Sequence, residues 1–374
     1  MSTTVREEKT IIEKYAHLLV SYCMEVKAGD MVYINSSYLA ESLVQQVVKE
    51  IYLAGGNPVL NIELNGLQNM SLQYGSEEQL AWVDPVKKYI IENCNCHLNI
   101  RAPFKRGDDA PEPDNAEKFK ILKKAQYEIN KIYFERTGNG SMRRCLCQYP
   151  TKAGADDAEL SLEEYEKFVY QSCFLYDADP VAKWLEVRKR QKVYADYLNK
   201  VEQVQYKGPN IDISFSVKGR TWINSDGRAN MPSGEVFSAP VEDSVNGKVH
   251  FSYPAIYMGK DVTGVTLEVK DGLIIKWSAD QGQDVLDKVF AVDGARYWGE
   301  VAIGTNYNIQ RTTRNILFDE KIGGSIHMAV GQSYKQCGGK NESSIHWDMI
   351  TDMKNGGQIL ADGKKIYENG EFLI

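Results

Sequence analysis

The chain has 374 residues, of which 43% are hydrophobic and 25% charged, and a formal net charge of −7. Its length exceeds what one hydrophobic core ordinarily supports, so two domains are expected. The acidic balance offers no basic footprint for nucleic acid, and no apolar run reaches the roughly 18–20 residues of a membrane span.

The opening stretch "MSTTVREEKTIIEKYAHLLVSYC" reads as an amphipathic helix without the unbroken apolar core of a signal peptide, which gives the expectation of a cytoplasmic protein. Helical spacing returns in "ESLVQQVVKEIYLAGG", which stops at a glycine pair, and a short β-rich run, "NPVLNIEL", follows. The same alternation recurs in "DPVKKYIIENCN", "HLNIRA" and "AEKFKILKKAQYEINK". Strands alternating with helices of this length predict a parallel sheet covered by helices. "KRGDDAPEPDN" (105–115), rich in charge and proline, reads as a surface loop. Seven thinly spread cysteines argue for reduced thiols. The pairs Cys94/Cys96 and Cys145/Cys147 are too closely spaced for a structural zinc site.

Ser161 and Glu164 form a capping-box pattern, and Pro180 opens a long amphipathic helix. From about residue 208 the pattern turns to β, with Asp271-Gly272, Asp362-Gly363 and Asn369-Gly370 as hairpin steps. The expected architecture is an α/β domain over 1–207, a parallel sheet with helices that ends in the long helix. A β-rich α+β domain over 208–374 follows it.

Five histidines occur, and His17, His97 and His250 have ordinary structural settings. His327 and His346 differ because of their company. His327 lies in "IGGSIHMAVG", Tyr334 follows seven residues later, and "SSIHWD" places His346 and Asp348 two apart. On a strand that spacing puts imidazole and carboxylate on one face, with Trp347 on the other. Glu235 in "NMPSGEVFSAP", Glu300 in "RYWGEVAIGTN" and Glu320 in "NILFDEKIGG" stand beside apolar or Gly-rich segments. Unpaired carboxylates are costly there, and divalent metal ions would resolve the cost. Oxygen and imidazole donors without thiolate suit Zn, Co or Mn. Three Glu and one Asp match the charge of two divalent ions, a pair able to activate water for hydrolysis.

The blocks "NMPSGEVFSAP", "GEVAIGTN", "SIHMAVGQSY" and "NESSIHWDMI" resemble the metal-binding blocks of the thermophilic-type metalloaminopeptidases, peptidase family M29. "YLAGGNPVL" and "YPTKAGA…LSLEEYEKFV…DPVAKW" resemble its N-terminal and middle parts, so the likeness runs nearly end to end. The resemblance implies metal-site roles for Glu235, Glu300, His327, Tyr334, His346 and Asp348, with Glu300 bridging two ions. It also implies a homodimer acting on peptides with a free N-terminus. Glu320 corresponds less closely, because the family's acid stands nearer to the first histidine. Tyr334 is either a ligand or a donor to the oxyanion, and Glu242 and Asp243 are weaker general-base candidates. Two rivals stay open on the residues alone. One is a two-metal phosphoesterase or amidase, favoured if Arg228, Arg296, Arg311 and Arg314 converge on the site; the other is a non-catalytic metal-binding homologue.

Overall fold

The computed structural model describes residues 9–105 and 115–374. The expected 105–115 loop therefore lies, but for its two ends, outside the described residues. Two compact units emerge, Met1–Ala182 with Gly227–Met231, and Lys183–Asp226 with Pro232–Ile374. The long helix Pro180–Leu198 thus belongs almost wholly to the second unit, whereas the sequence pattern assigned it to the first, with a limit at 207. The physical reason is packing: Ala195 and Leu198 are buried in the hydrophobic cluster of the β-rich part.

In the first unit, β1 (Met31–Ser37), β2 (Asn57–Glu63), β3 (Cys96–Arg101) and β4 (Arg143–Gln148) form a parallel sheet in the order β2-β1-β3-β4. The short segment Asn230–Met231 adds to β4, also in parallel. Helices Glu41–Leu53, Pro85–Asn93 and Ala116–Gly138 provide crossovers, as parallel strands require. The first of them ends at Gly55, whose φ of +80° lets the chain reverse into β2. Thr10 and Glu13 cap the opening helix reciprocally, and Ser161 and Glu164 form the expected capping box.

The second unit packs two antiparallel sheets against each other. One has eight strands, from Leu273–Ser278 at one edge to Glu371–Phe372 at the other. The other has five: β5 (Ile223–Ser225), β6 (Glu235–Ser238), β7 (Trp298–Gly304), β8 (Ser325–Gly331) and β9 (His346–Asp352), in the order β9-β8-β7-β6-β5. One face of this sheet, with Val236, Val301, Ile303, Met328, Val330, Trp347 and Met349, enters a single core with Ile213, Phe215 and Val249 of the larger sheet. The strict two-residue alternation then delivers every other residue to the opposite face, where the chemistry lies. No helix among the described residues is long and apolar enough to cross a membrane.

Candidate metal centre

Four neighbouring strands contribute to one face: Glu235 from β6, Glu300 from β7, His327 from β8, and His346 with Asp348 from β9. The register gives each of them space. Glu235 lies opposite Gly304, His327 opposite Ala302, Glu300 and Asp348 opposite Ala329, and His346 opposite Gly331. Small residues at these cross-strand positions leave room for large polar side chains to converge above the sheet. A bulge at Gly299 shifts the β7 register just before Glu300.

Glu300 is central. One carboxylate oxygen lies 3.6 Å from His327 Nε2 and the other 3.3 Å from His346 Nε2. Glu235 stands 3.3 Å from His327 Nε2, and Asp348 stands 3.7 Å from His346 Nε2. Three overlapping donor groups result: Glu235/Glu300/His327, Glu300/His346/Asp348 and Glu320/His327/Asp348, each with its atoms within 4.8 Å of one another. Glu320 follows the short helix Ile316–Asp319, and its greater distance from His327 in sequence does not keep it out of the cluster. His346 is oriented from behind, its Nδ1 lying 2.8 Å from the carbonyl of Gln332. The Tyr334 ring meets Phe237 edge-on and His346 at a tilt, at centroid distances of 5.6 and 4.9 Å, and the residue remains 41% exposed.

Charge is concentrated here in a buried setting. Burial raises Glu235, an effect that Lys321 partly offsets, and burial likewise raises Asp348 against the pull of His346. Burial would lower both histidines, but the surrounding carboxylates outweigh it. His327 is held at about 9, chiefly through Glu300 and Glu235, and His346 at about 10 through Asp348 and Glu300. Burial also disfavours the Glu300 anion, yet the two histidines keep it well below the usual carboxylate range. Burial, then the site's carboxylates, push the Tyr334 phenol well above its ordinary value.

Sequence reasoning passed over Lys321. It is fully buried, its Nζ contacts Glu320 and stands 3.6 Å from Glu235, and it adds one fixed positive charge to the carboxylates. A lysine between an acid and a Gly-Gly turn gave no signal, because nothing local says it points inward. The other histidines do not join. His17 pairs with Glu50 at 2.8 Å, and His250 bonds Thr266 at 2.9 Å. His97 lies against Tyr33 and Tyr133 with its pKa lowered to about 4 by burial. Glu242 is tied to Arg220 and to the Lys340 N–H, so it is not free to act as a base. All seven cysteines are buried and none forms a disulfide, and no metal-donor group among the described residues contains one.

Residues 8–372 match the family model described as thermophilic metalloprotease (M29). The chain belongs to the M29 metalloprotease family. Its similar relatives include Aminopeptidase PepS of Streptococcus thermophilus, 28% identical over 98% of each chain. Aminopeptidase 2 of Geobacillus stearothermophilus is 26% identical over 96% of this chain and 97% of its own length. The solved structure of wild-type AmpT from Thermus thermophilus superposes with a TM-score of 0.82 at 22% identity, covering 97% of this chain and 99% of that one, which establishes the shared fold. An M29 metalloprotease is a peptide hydrolase that uses a divalent metal, and the donor set fits one. Glu235 Oε2, His327 Nε2, His346 Nε2 and Asp348 Oδ1 are buried with no hydrogen-bond partner, as ligand atoms turned toward a cation would be.

Proposed function

We propose that the protein is an aminopeptidase removing N-terminal residues from peptides with a free N-terminus, at a site holding two divalent ions of the Zn, Co or Mn class. The observation that carries this reading is the sharing of Glu300, His327 and Asp348 among three overlapping donor groups. A single ion would not employ so many acids, and the separate contacts of the two Glu300 oxygens suit a bridging carboxylate. The cluster would comprise Glu235, Glu300, Glu320, His327, His346 and Asp348. When bound, such ions supply Lewis acidity toward the scissile carbonyl and lower the pKa of water.

The chain's own residues do the rest. Gln332 fixes the His346 ring through its carbonyl, keeping Nε2 directed at Glu300 and Asp348. Lys321 offsets one carboxylate permanently, so a site loaded with two divalent ions carries surplus positive charge, which favours an anionic transition state. Tyr334, packed against the His346 ring, would serve as a hydrogen-bond donor to the developing oxyanion. Homodimerisation and a cytoplasmic setting belong to the same reading, resting on the family resemblance and the reduced thiols.

The arginines that would favour the phosphoesterase alternative are engaged elsewhere in this unit. Arg296 is spent on the Ile274 carbonyl and the Trp277 ring, and Arg314, the one arginine lining the adjacent pocket, pairs with Asp261 at 3.7 Å. The presence of the full donor set speaks against a non-catalytic homologue. The test is hydrolysis of a panel of aminoacyl-p-nitroanilides by protein loaded with Zn, Co or Mn and by chelated protein. Tyr334→Phe should lower kcat about tenfold to a thousandfold with metal content unchanged. Loaded protein that cleaves nothing on the panel, with Glu300→Ala indistinguishable from it, would overturn the reading.

A further inference from the structure

The strand that carries His346 and Asp348 is the last of its sheet, and the segment 252–257 flanks its outer edge. The Ile350 carbonyl accepts from the Tyr253 N–H at 3.2 Å, and the Asp352 N–H donates to Ser252 Oγ at 2.9 Å, both away from β8. On the opposite side the Ile345 carbonyl accepts from the Gln332 N–H. The even-numbered residues of β9 therefore turn their backbone groups outward, and Asp348 follows by the two-residue period. Residues 252–253 cover the edge at Ile350 and Asp352, and Ala255–Tyr257 runs on beside the strand to Trp347, whose ring Tyr257 meets at a centroid distance of 5.2 Å.

Between that segment and β9 lies a cavity of about 160 Å³. Its walls include Ala255, Ile256, Ile316 and Trp347, and His346 and Asp348 of the metal centre border it directly. Its two further charged groups are engaged: Asp319 accepts from the Thr313 N–H and hydroxyl, and Arg314 faces Asp261. The volume is close to the ~150 Å³ of an engineered apolar cavity that takes up benzene. It therefore suits one branched or aromatic side chain and is too small for a folded partner.

Resting on the aminopeptidase reading, we propose that this cavity receives the side chain of the substrate's N-terminal residue and sets a preference for apolar residues of leucine and phenylalanine size. The side chain is thereby held next to the His346 and Asp348 carboxylate–imidazole pair, which borders the cavity.

Ile316 decides the test, because it lines the cavity and is 42% exposed. Metal-loaded wild type, Ile316→Trp and Ile316→Ala are compared by kcat/KM on alanyl, leucyl, phenylalanyl and tryptophanyl p-nitroanilides, with metal content and melting temperature measured for each. Ile316→Trp fills the cavity, so the leucine-to-alanine ratio should fall roughly tenfold to a hundredfold. Ile316→Ala enlarges it and should raise the tryptophan-to-leucine ratio at least about threefold. Ratios unchanged in both folded, metal-loaded variants would overturn the pocket assignment and leave the aminopeptidase reading standing. A loaded wild type that cleaves no substrate overturns the aminopeptidase reading itself, and the pocket assignment with it.

Discussion

Glu300→Gln removes one charge at nearly constant volume from the residue on which both histidines depend. His346 is held at about 10 against an ordinary 6.5, so its protonated form gains roughly 5 kcal/mol of differential interaction, at 1.36 kcal/mol per pKa unit. Asp348 supplies part of that gain and Glu300 another part, through both its charge and its hydrogen bond, so deleting the Glu300 charge should remove a substantial share of it. In the metal-free variant the His346 titration midpoint should fall by about one to two pH units. His327, which keeps Glu235 at 3.3 Å, should fall similarly. Leaving buried charges with weaker partners costs about 2–4 kcal/mol near neutrality. At roughly 2–4 °C per kcal/mol for a unit of this size, the metal-free melting temperature should drop by about 5–15 °C. With this ligand neutralised, the centre should bind less metal, and kcat/KM should fall at least about a thousandfold. Histidine ring NMR, elemental analysis and calorimetry read these effects separately. Unchanged histidine midpoints together with full metal content would refute the central place given to Glu300.

The raised groups Glu235, Asp348, His327 and His346 make the folded, metal-free protein bind more protons than the unfolded chain, from the carboxylate range up to about pH 10. Its stability should fall as pH rises through that window, with Glu300 opposing this only in acid. Metal must displace those protons, so the melting-temperature gain on adding Zn or Mn should widen from about pH 6 to about pH 9; a gain that shrinks would contradict the assignment. Lys321→Met should destabilise the metal-free form by about 3–5 kcal/mol, because Glu235 and Glu320 lose their buried counter-charge, and metal should restore most of the loss. Equal loss in both states, measured by denaturation with and without metal, would mean the lysine only packs. A Cβ at Gly299 would meet the Gln332 carbonyl oxygen at 2.2 Å, so Gly299→Ala should cost at least about 1–3 kcal/mol and weaken metal binding by displacing Glu300. Gly138→Ala, with open space around its Cβ, serves as the control and should be neutral or slightly stabilising in the same melts.

The two-residue period of "IHWD" was enough to place His346 and Asp348 on one face and Trp347 in the core behind it, because strand geometry is local. The helix–strand alternation before residue 150 likewise dictated a parallel sheet, and the capping box at Ser161 marked a helix start. The kinds of donor needed for a divalent ion were also visible as carboxylates and imidazoles in apolar surroundings. Convergence was not, since it depends on strand register: Ala302, Ala329, Gly304 and Gly331 make space across strands far apart in the chain. Only tertiary packing buried Lys321 among the acids, brought Glu320 within reach of His327 and Asp348, and assigned the Pro180–Leu198 helix to the β-rich unit. Sequence thus determined which side chains could bind a metal, and the pairing of strands from distant segments decided which of them meet.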